Sequence, residues 1–162
     1  MRAIVIFFVG AIAFVGCTQA ASIAPSVAPT AAPLAVGEFT SHGVAATIDA
    51  RGQGSDVTGT MTVSDTGKTG KVDLECSHAT DNGLLMIGGL VTESTFTEWF
   101  PKGHRVAVIF QPGSPVKAIW WIVLPGDAPL ESCQAVFDVL LAEGTDLSEG
   151  LEPIQGTVDI RA

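Results

Sequence analysis

Runs of alternating apolar and polar residues dominate the middle of this chain and restrict it to β structure. In residues 57–64 (VTGTMTVS) valine, glycine and methionine alternate with threonine and serine, and residues 44–50 and 72–76 repeat this period of two. Such a period puts neighbouring side chains on opposite faces of a strand, so each run predicts a half-buried antiparallel strand. Short turns separate the runs, which predicts a meander in which sequence neighbours pair.

Three further strands are apolar on both faces: residues 84–91 (LLMIGGLV), 106–110 (VAVIF) and 119–124 (IWWIVL). Strands of this kind need cover on both sides. Residues 128–143 can supply that cover, because their apolar residues recur at three- and four-residue spacing and form one stripe. We therefore predict an amphipathic helix at about 128–143, packed on the outer face of these strands.

A last alternating strand, residues 154–160, brings the prediction to seven strands and one helix. The predicted fold is mainly β, an antiparallel meander that closes into a barrel or a strongly curved sheet. A two-sheet β-sandwich is the alternative. Gly88 and Gly89 predict a bulge or a close backbone approach, and adjacent Trp120 and Trp121 should face opposite sides of their strand.

The first seventeen residues resemble the export signal and lipobox of bacterial lipoproteins. The stretch MRAIVIFFVGAIAFVGC begins with Arg2, continues with an apolar run shorter than the roughly 20 residues that span a bilayer, and ends at Cys17. The resemblance implies that residues 1–16 are a signal peptide and that Cys17 becomes the lipidated N-terminus. Cleavage after Ala20 is the alternative, and it would release a secreted soluble protein.

Residues 18–36 (TQAASIAPSVAPTAAPLAV) carry no charge, and their prolines recur every four residues. Proline at this spacing opposes a helix, so the stretch predicts an extended spacer. The predicted organisation is a signal peptide over 1–16, a lipid-anchored linker over 17–36 and a single β-rich domain over 37–162. Anchor and linker together predict an extracytoplasmic location on a bacterial membrane.

Cys76 and Cys133 are the two cysteines that follow Cys17. In an exported protein such a pair indicates a disulfide. Strand alternation puts Cys76 on the inner face, whereas Cys133 lies on a helix that covers the outer face. We therefore expect the bond only if Cys76 lies at the end of its strand, where the alternation no longer fixes the direction of the side chain. A nucleophilic Cys76 next to His78 is the alternative, although no base or orienting group is evident.

Acidic residues outnumber basic ones by seventeen to eight, and the formal net charge is −9. Without a basic stripe to neutralise phosphates, we expect no nucleic-acid partner. The sequence contains no GxSxG nucleophile motif, no HExxH zinc-protease motif, no P-loop and no dinucleotide-binding motif. We therefore predict no catalytic residue and no cofactor. We also predict no metal site, because the histidines are scattered and the loop with Asp146, Glu149 and Glu152 lacks the EF-hand spacing.

Two adjacent aromatic residues, Trp99 and Phe100, precede Pro101 in a predicted loop. Aromatic side chains on a loop can anchor a ligand or a partner protein. They can equally plug one end of a barrel, which is the commoner role. Trp99 and Phe100 are therefore candidate contact residues with a structural alternative.

The stretches VTGTMTVSD, VDLECSHATDNGLLMIGGLVTES and VAVIFQPGSPVKAIWWIVL resemble a recurrent group of exported bacterial β-rich domains of unknown function. The order of strands, helix and last strand is similar to that of lipocalins, but the G-x-W motif of those proteins is missing. The predicted function is a membrane-anchored lipoprotein whose non-enzymatic β domain binds an unknown small-molecule ligand or protein. The alternatives are a lipocalin-like carrier of an apolar small molecule, with a cavity beside Met61, Met86 and Phe110, and an enzyme whose site is assembled from distant residues.

Overall fold

The structure is a computed structural model, and it describes residues 31–96, 98–122, 129–142 and 146–161. The predicted signal peptide, Cys17 and most of the predicted linker lie outside these ranges. The elements are β1 (Pro33–Ser41), β2 (Val44–Arg51), β3 (Thr58–Asp65), β4 (Lys68–Ala79), β5 (Leu85–Ser94), β6 (Arg105–Gln111), β7 (Lys117–Trp121), α1 (Cys133–Ala142), β8 (Glu152–Pro153) and β9 (Gln155–Ile160). No helix within these ranges is long and apolar enough to cross a membrane.

One antiparallel sheet contains all of these strands, in the order β8-β7-β6-β5-β4-β3-β2-β1-β9. It is a nearly closed barrel, because its two edge strands, β8 and β9, are consecutive in the chain. At the seam between β1 and β7, Ser41 Oγ donates to Ala118 O at 3.1 Å and Trp120 Nε1 donates to Ser41 O at 3.3 Å. The predicted barrel-like meander is confirmed, and the continuous sheet excludes the sandwich.

The first strand differs from the sequence prediction. β1 begins at Pro33, so residues 33–36 belong to the sheet rather than to the linker, and the domain begins before residue 37. The strand pairs with β2 on one side and β9 on the other. Leu34 and Ala35 are both buried, and a register shift between Pro33 and Ala35 breaks the alternation that would have revealed the strand. With the short β8, the sheet has nine strands within the described ranges, where the sequence predicts seven.

The barrel interior is filled with side chains from alternate positions of the long strands. These side chains include Phe39, Ile48, Met61, Val63, Val72, Leu74, Leu85, Ile87 and Phe110. Full burial of an aliphatic or aromatic side chain stabilises a fold by about 1.5–3 kcal/mol. The alternating runs therefore supply the main driving force for closing the sheet around this core.

A second core lies between α1 and the outer surface of β4, β5 and β6. Val136, Phe137 and Leu140 of the helix are buried there, together with strand residues Met86 and Ile109. The predicted helix on the outer face is thus confirmed. Trp120 packs on the interior core and neighbouring Trp121 packs on the helix-side core, so the two indoles face opposite sides as predicted.

The helix begins at Cys133, five residues later than the predicted start at 128. Ser132 determines this boundary, because its Oγ accepts a hydrogen bond from the Ala135 backbone N–H at 3.1 Å. Pro129 and Leu130 precede the helix without helical structure. The predicted last residue, 143, lies outside the described ranges.

The predicted disulfide joins Cys76 to Cys133, with 6.0 Å between the Cα atoms. A β-bulge brings Cys76 to the helix side: Leu74 pairs with Gly89 and Cys76 with Gly88, which leaves Glu75 as an extra residue in β4. One extra residue reverses the alternation, so Leu74 faces the interior and Cys76 faces the helix. The expectation that Cys76 must end its strand is wrong, since β4 continues to Ala79.

Gly88 and Gly89 allow two close approaches on either side of β5. A Cβ atom on Gly88 would lie 2.8 Å from Cys133 Sγ, and one on Gly89 would lie 2.3 Å from the carbonyl oxygen of Asp73. The close backbone approach predicted for this pair is confirmed, whereas the bulge beside it lies in the partner strand β4, at Glu75. Gly88 in particular leaves the space that the disulfide occupies.

Arg105 joins the bulge to the segment that leads into the helix. Its Nε donates to Glu75 Oε2 at 3.0 Å and its Nη1 donates to Leu130 O at 2.6 Å. The Arg105 side chain is only 17% exposed, so these bonds are partly shielded from water. Hydrogen bonds to charged groups contribute about 1.5–3 kcal/mol, more than bonds between neutral groups.

Arg105→Met should therefore lower the free energy of unfolding by about 1–3 kcal/mol, because it leaves Glu75 and the Leu130 carbonyl without their donor. Urea denaturation followed by circular dichroism measures the loss. Arg161→Met is the matched control, since Arg161 pairs with Asp159 at a site where the arginine is 64% exposed. We expect a change below about 0.5 kcal/mol for this control; equal losses in the two variants would contradict the joining role of Arg105.

Candidate ligand site at the barrel mouth

Four parts of the chain meet at one end of the barrel, which we call the mouth. They are the β1–β2 turn at His42, the β3–β4 turn at Thr66, the β5–β6 connection around Trp99, and Ile122 after β7. Alternate connections of an up-and-down barrel lie at the same end. The chain enters β1 at the opposite end, where Ala32 O accepts a hydrogen bond from Gly52 N.

The two hairpin turns at the mouth are tight and well defined. His42 and Gly43 have φ angles of 52° and 81°, and Thr66 and Gly67 have φ angles of 45° and 82°. Two positive φ values in a two-residue loop are typical of the type I′ turn, whose twist matches that of the strands it joins. Asp65, the last residue of β3, is therefore held at the edge of the mouth.

A pocket of about 380 Å³ opens at the mouth. Its lining is mainly apolar, with one imidazole and one carboxylate: His42, Val44, Asp65, Trp99, Ile119, Trp120 and Ile122. His42 is exposed and the other lining residues are half-buried, so the walls are anchored in the fold and still accessible to solvent. The volume lies within the range of about 300–1,000 Å³ that is common for small-molecule sites.

The core fixes the orientation of Trp120. The ring of Phe39 stacks on it, with 5.6 Å between the centroids and 15° between the planes. Its Nε1 donates to the carbonyl of Ser41, so the polar edge of the indole is satisfied across the seam. The indole is therefore a preorganised wall of the pocket.

Trp99 belongs to a cluster of three aromatic residues that closes the barrel below the mouth. Its ring centroid lies 4.5 Å from that of Phe96 and 5.6 Å from that of Phe100. Phe100 is completely buried, whereas Trp99 is half-buried and lines the pocket. Of the two candidate contact residues, Phe100 is thus part of the core, and Trp99 alone is accessible to a ligand.

The two polar lining residues differ in their bonding. His42 Nε2 lies 3.0 Å from Gly150 O, and His42 Nδ1 lies 3.5 Å from a carboxylate oxygen of Glu152. The imidazole therefore ties the β1–β2 turn to the segment before β9. Asp65 is half-buried, and within the described ranges its carboxylate has no hydrogen-bond or ion-pair partner.

The remaining polar candidates do not assemble into one site. His78 pairs with Met86, and the carbonyl of His104 accepts a hydrogen bond from Val91 N, so the two histidines flank β5 at positions five residues apart. At the rise of a strand this separation is about 17 Å. Cys76 is held in the disulfide and is not a free nucleophile.

The acidic loop before β8 has local structural roles. Hydrogen bonds from the Ser148 side chain and backbone N–H hold the pKa of the exposed Asp146 carboxyl below its usual value. Glu152 lies in β8, and its carboxylate faces His42. In the part of the chain that the structure describes, no group of three or more His, Cys, Asp or Glu side chains could hold a metal ion.

The residues named for a carrier cavity do not share one space. Met61 and Phe110 are buried in the interior core, whereas Met86 lies on the opposite face of the sheet, under the helix. The interior at Phe110 is occupied by Phe39, which packs edge-on at 5.3 Å between centroids. An accessible, mainly apolar pocket lies at the mouth.

The pocket is also lined by three residues that are not among the predicted site residues, His42, Asp65 and Trp120. Their position in the meander could have identified them, because each lies in or next to a connection at the same end of the barrel. Trp120 packs against the interior core and is also a wall of the pocket.

No protein-family model, curated protein or solved structure matches this chain.

Proposed function

We propose that this chain is an extracytoplasmic, lipid-anchored protein whose non-enzymatic β domain binds a small molecule in the mouth pocket. The observation that carries the proposal is the pair of indole rings, Trp99 and Trp120, which line one accessible apolar pocket and are positioned by the core beneath them. Rigid aromatic walls lose little conformational entropy when a ligand binds.

The packing of the barrel favours this site over carriage of a lipid inside the barrel. Large side chains such as Phe39 and Phe110 occupy the interior, whereas a lipocalin-like carrier needs a cavity there. An enzyme has less support, because His78 and His104 lie far apart and Cys76 is in a disulfide.

Export is supported by two independent features. The N-terminal stretch resembles a lipoprotein signal that ends at Cys17. The Cys76–Cys133 disulfide suits an oxidising compartment outside the cytoplasm. Mass spectrometry of the mature protein should find an acylated Cys17 as the first residue, and an unmodified chain that begins at Ala21 would contradict the anchor.

Trp99→Ala should weaken the binding of a neutral aromatic probe, N-phenyl-1-naphthylamine, by about tenfold or more, because it removes one wall of the pocket. The rise in probe fluorescence on titration with protein gives the dissociation constant. Circular dichroism of the variant establishes that the fold is retained.

Leu141→Ala is the matched control for non-specific attachment of the probe. Leu141 is the exposed large apolar residue of the helix, 45% exposed, and it lies outside the mouth pocket. We expect its affinity for the probe to equal that of the wild type. Unchanged binding in the Trp99 variant, or an equal loss in both variants, would contradict a ligand site at the mouth.

A further inference from the structure

We infer that the mouth pocket takes an organic amine in its positively charged form, with the ammonium group beside Asp65 and the apolar body between Trp99 and Trp120. This inference rests on the proposed function, because it names the chemical class of the ligand for the same site. It is carried by the position of Asp65, whose carboxylate has no partner among the described residues, at the edge of a pocket with two indole walls.

Asp65 is positioned to act as the counter-ion. Asp65 lines the pocket and is half-buried, and its carboxylate receives no hydrogen bond and no ion pair from any described residue. A half-buried carboxylate has lost part of its hydration. The electrostatic attraction between it and an approaching cation is therefore stronger than it would be for a fully solvated carboxylate. Because no described residue pairs with its carboxylate, Asp65 favours a positively charged ligand group.

The neighbouring basic side chains leave Asp65 available. Lys68 is opposite Asp65 in the β3–β4 register, but it is exposed, does not line the pocket and forms no ion pair with Asp65. His42 directs its two ring nitrogens to Gly150 O and Glu152. None of the described lining residues is a lysine or an arginine.

The apolar walls add to the same preference. An ammonium group or its adjacent methylenes on the face of an indole gain a cation–π attraction that is strongest for tryptophan among the aromatic side chains. The chain also has a formal net charge of −9, which raises the local concentration of cations and repels anions. Carboxylate and phosphate ligands are therefore disfavoured at this site.

Three aromatic compounds of matched size test the inference: phenethylammonium, 2-phenylethanol and phenylacetate carry a positive, a neutral and a negative head on the same ring. At neutral pH and low salt we expect phenethylammonium to bind about fivefold more tightly than 2-phenylethanol, and phenylacetate to bind most weakly. Tryptophan fluorescence of the full mature protein reports each titration. Raising the salt concentration should reduce the advantage of the cation and leave the alcohol unaffected.

Asp65→Asn should remove the advantage of phenethylammonium and leave the affinity for 2-phenylethanol within about twofold of the wild type. Asp56→Asn is the control for net charge, because Asp56 is an exposed carboxylate in the β2–β3 connection at the other end of the barrel. This variant should keep the preference for the cation.

Equal binding of the cation and the alcohol, or a cation advantage that survives in Asp65→Asn, would overturn the inference and leave the proposed pocket intact. The same holds if none of the three compounds binds while N-phenyl-1-naphthylamine binds in a Trp99-dependent manner. Failure of all four compounds would overturn both the inference and the proposed function.

Discussion

Phe100→Ala should lower the free energy of unfolding by about 3–5 kcal/mol, because it empties the closed end of the barrel below the mouth. Phe100 is 0% exposed and packs edge-on against Phe96, with 5.8 Å between the ring centroids. Its ring lies over Gly70, where a Cβ atom would be only 2.7 Å from the ring carbons. Urea denaturation of the wild type and the variant measures the loss.

Gly70 provides a specific control for this packing. Gly70→Ala should cost about 1–3 kcal/mol in the wild type, since the new methyl group displaces the Phe100 ring. In the Phe100→Ala background the same substitution should cost much less, because the ring that it displaces is gone. A loss below about 1 kcal/mol for Phe100→Ala, or additive costs in the double variant, would contradict the role of Phe100 as the plug.

Removing the disulfide with Cys76→Ala and Cys133→Ala should lower the free energy of unfolding by about 2–4 kcal/mol. The two cysteines are 57 residues apart, so the bond closes a long loop in the unfolded chain and reduces its entropy. It also fastens the first turn of α1 to the bulge in β4. Urea denaturation with and without a reductant measures the effect.

The double alanine variant serves as the control for the reductant, which should destabilise the wild type and leave the variant unchanged. Alkylation of the unfolded but unreduced wild type should leave Cys76 and Cys133 unmodified. A wild-type stability that does not respond to reduction, or alkylation at either cysteine, would contradict the structural disulfide.

Much of the fold could be predicted from the period of the apolar residues. The pattern around Met61 predicts a strand with one wet face, and the doubly apolar run around Ile109 predicts the cover that α1 provides. These predictions succeed because a strand with one buried face has apolar residues at alternate positions, and a strand with two buried faces has them at nearly every position.

The failures have local physical causes. β1 was missed because Leu34 and Ala35 are both buried at a register shift, which removes the alternation. The bulge at Glu75 turns Cys76 to the face opposite to the predicted one. The sequence of β4 gives little indication of this bulge, because the glycines lie in the partner strand β5. The helix begins later than predicted because Ser132, directly before Cys133, accepts the N-terminal capping hydrogen bond.

The site was harder to predict than the fold, because it is assembled from residues far apart in the chain. Trp99 was selected as an exposed aromatic residue on a loop, and it does line the pocket. Asp65 and His42 become pocket residues only when the turns that carry them are assigned to the same end of the barrel. The β1–β2 turn could not be assigned while β1 itself was unrecognised.

The most direct test of the ligand site uses the indole N–H signals of the three tryptophans in a ¹H–¹⁵N NMR spectrum. Trp99 and Trp120 line the mouth pocket, and Trp121 packs on the helix-side core. Titration with phenethylammonium should shift the signals of Trp99 and Trp120 with one common dissociation constant and leave that of Trp121 unchanged. A shift confined to Trp121, or equal shifts of all three signals, would contradict a binding site at the barrel mouth, and no shift at saturating phenethylammonium would contradict the amine as the class of ligand.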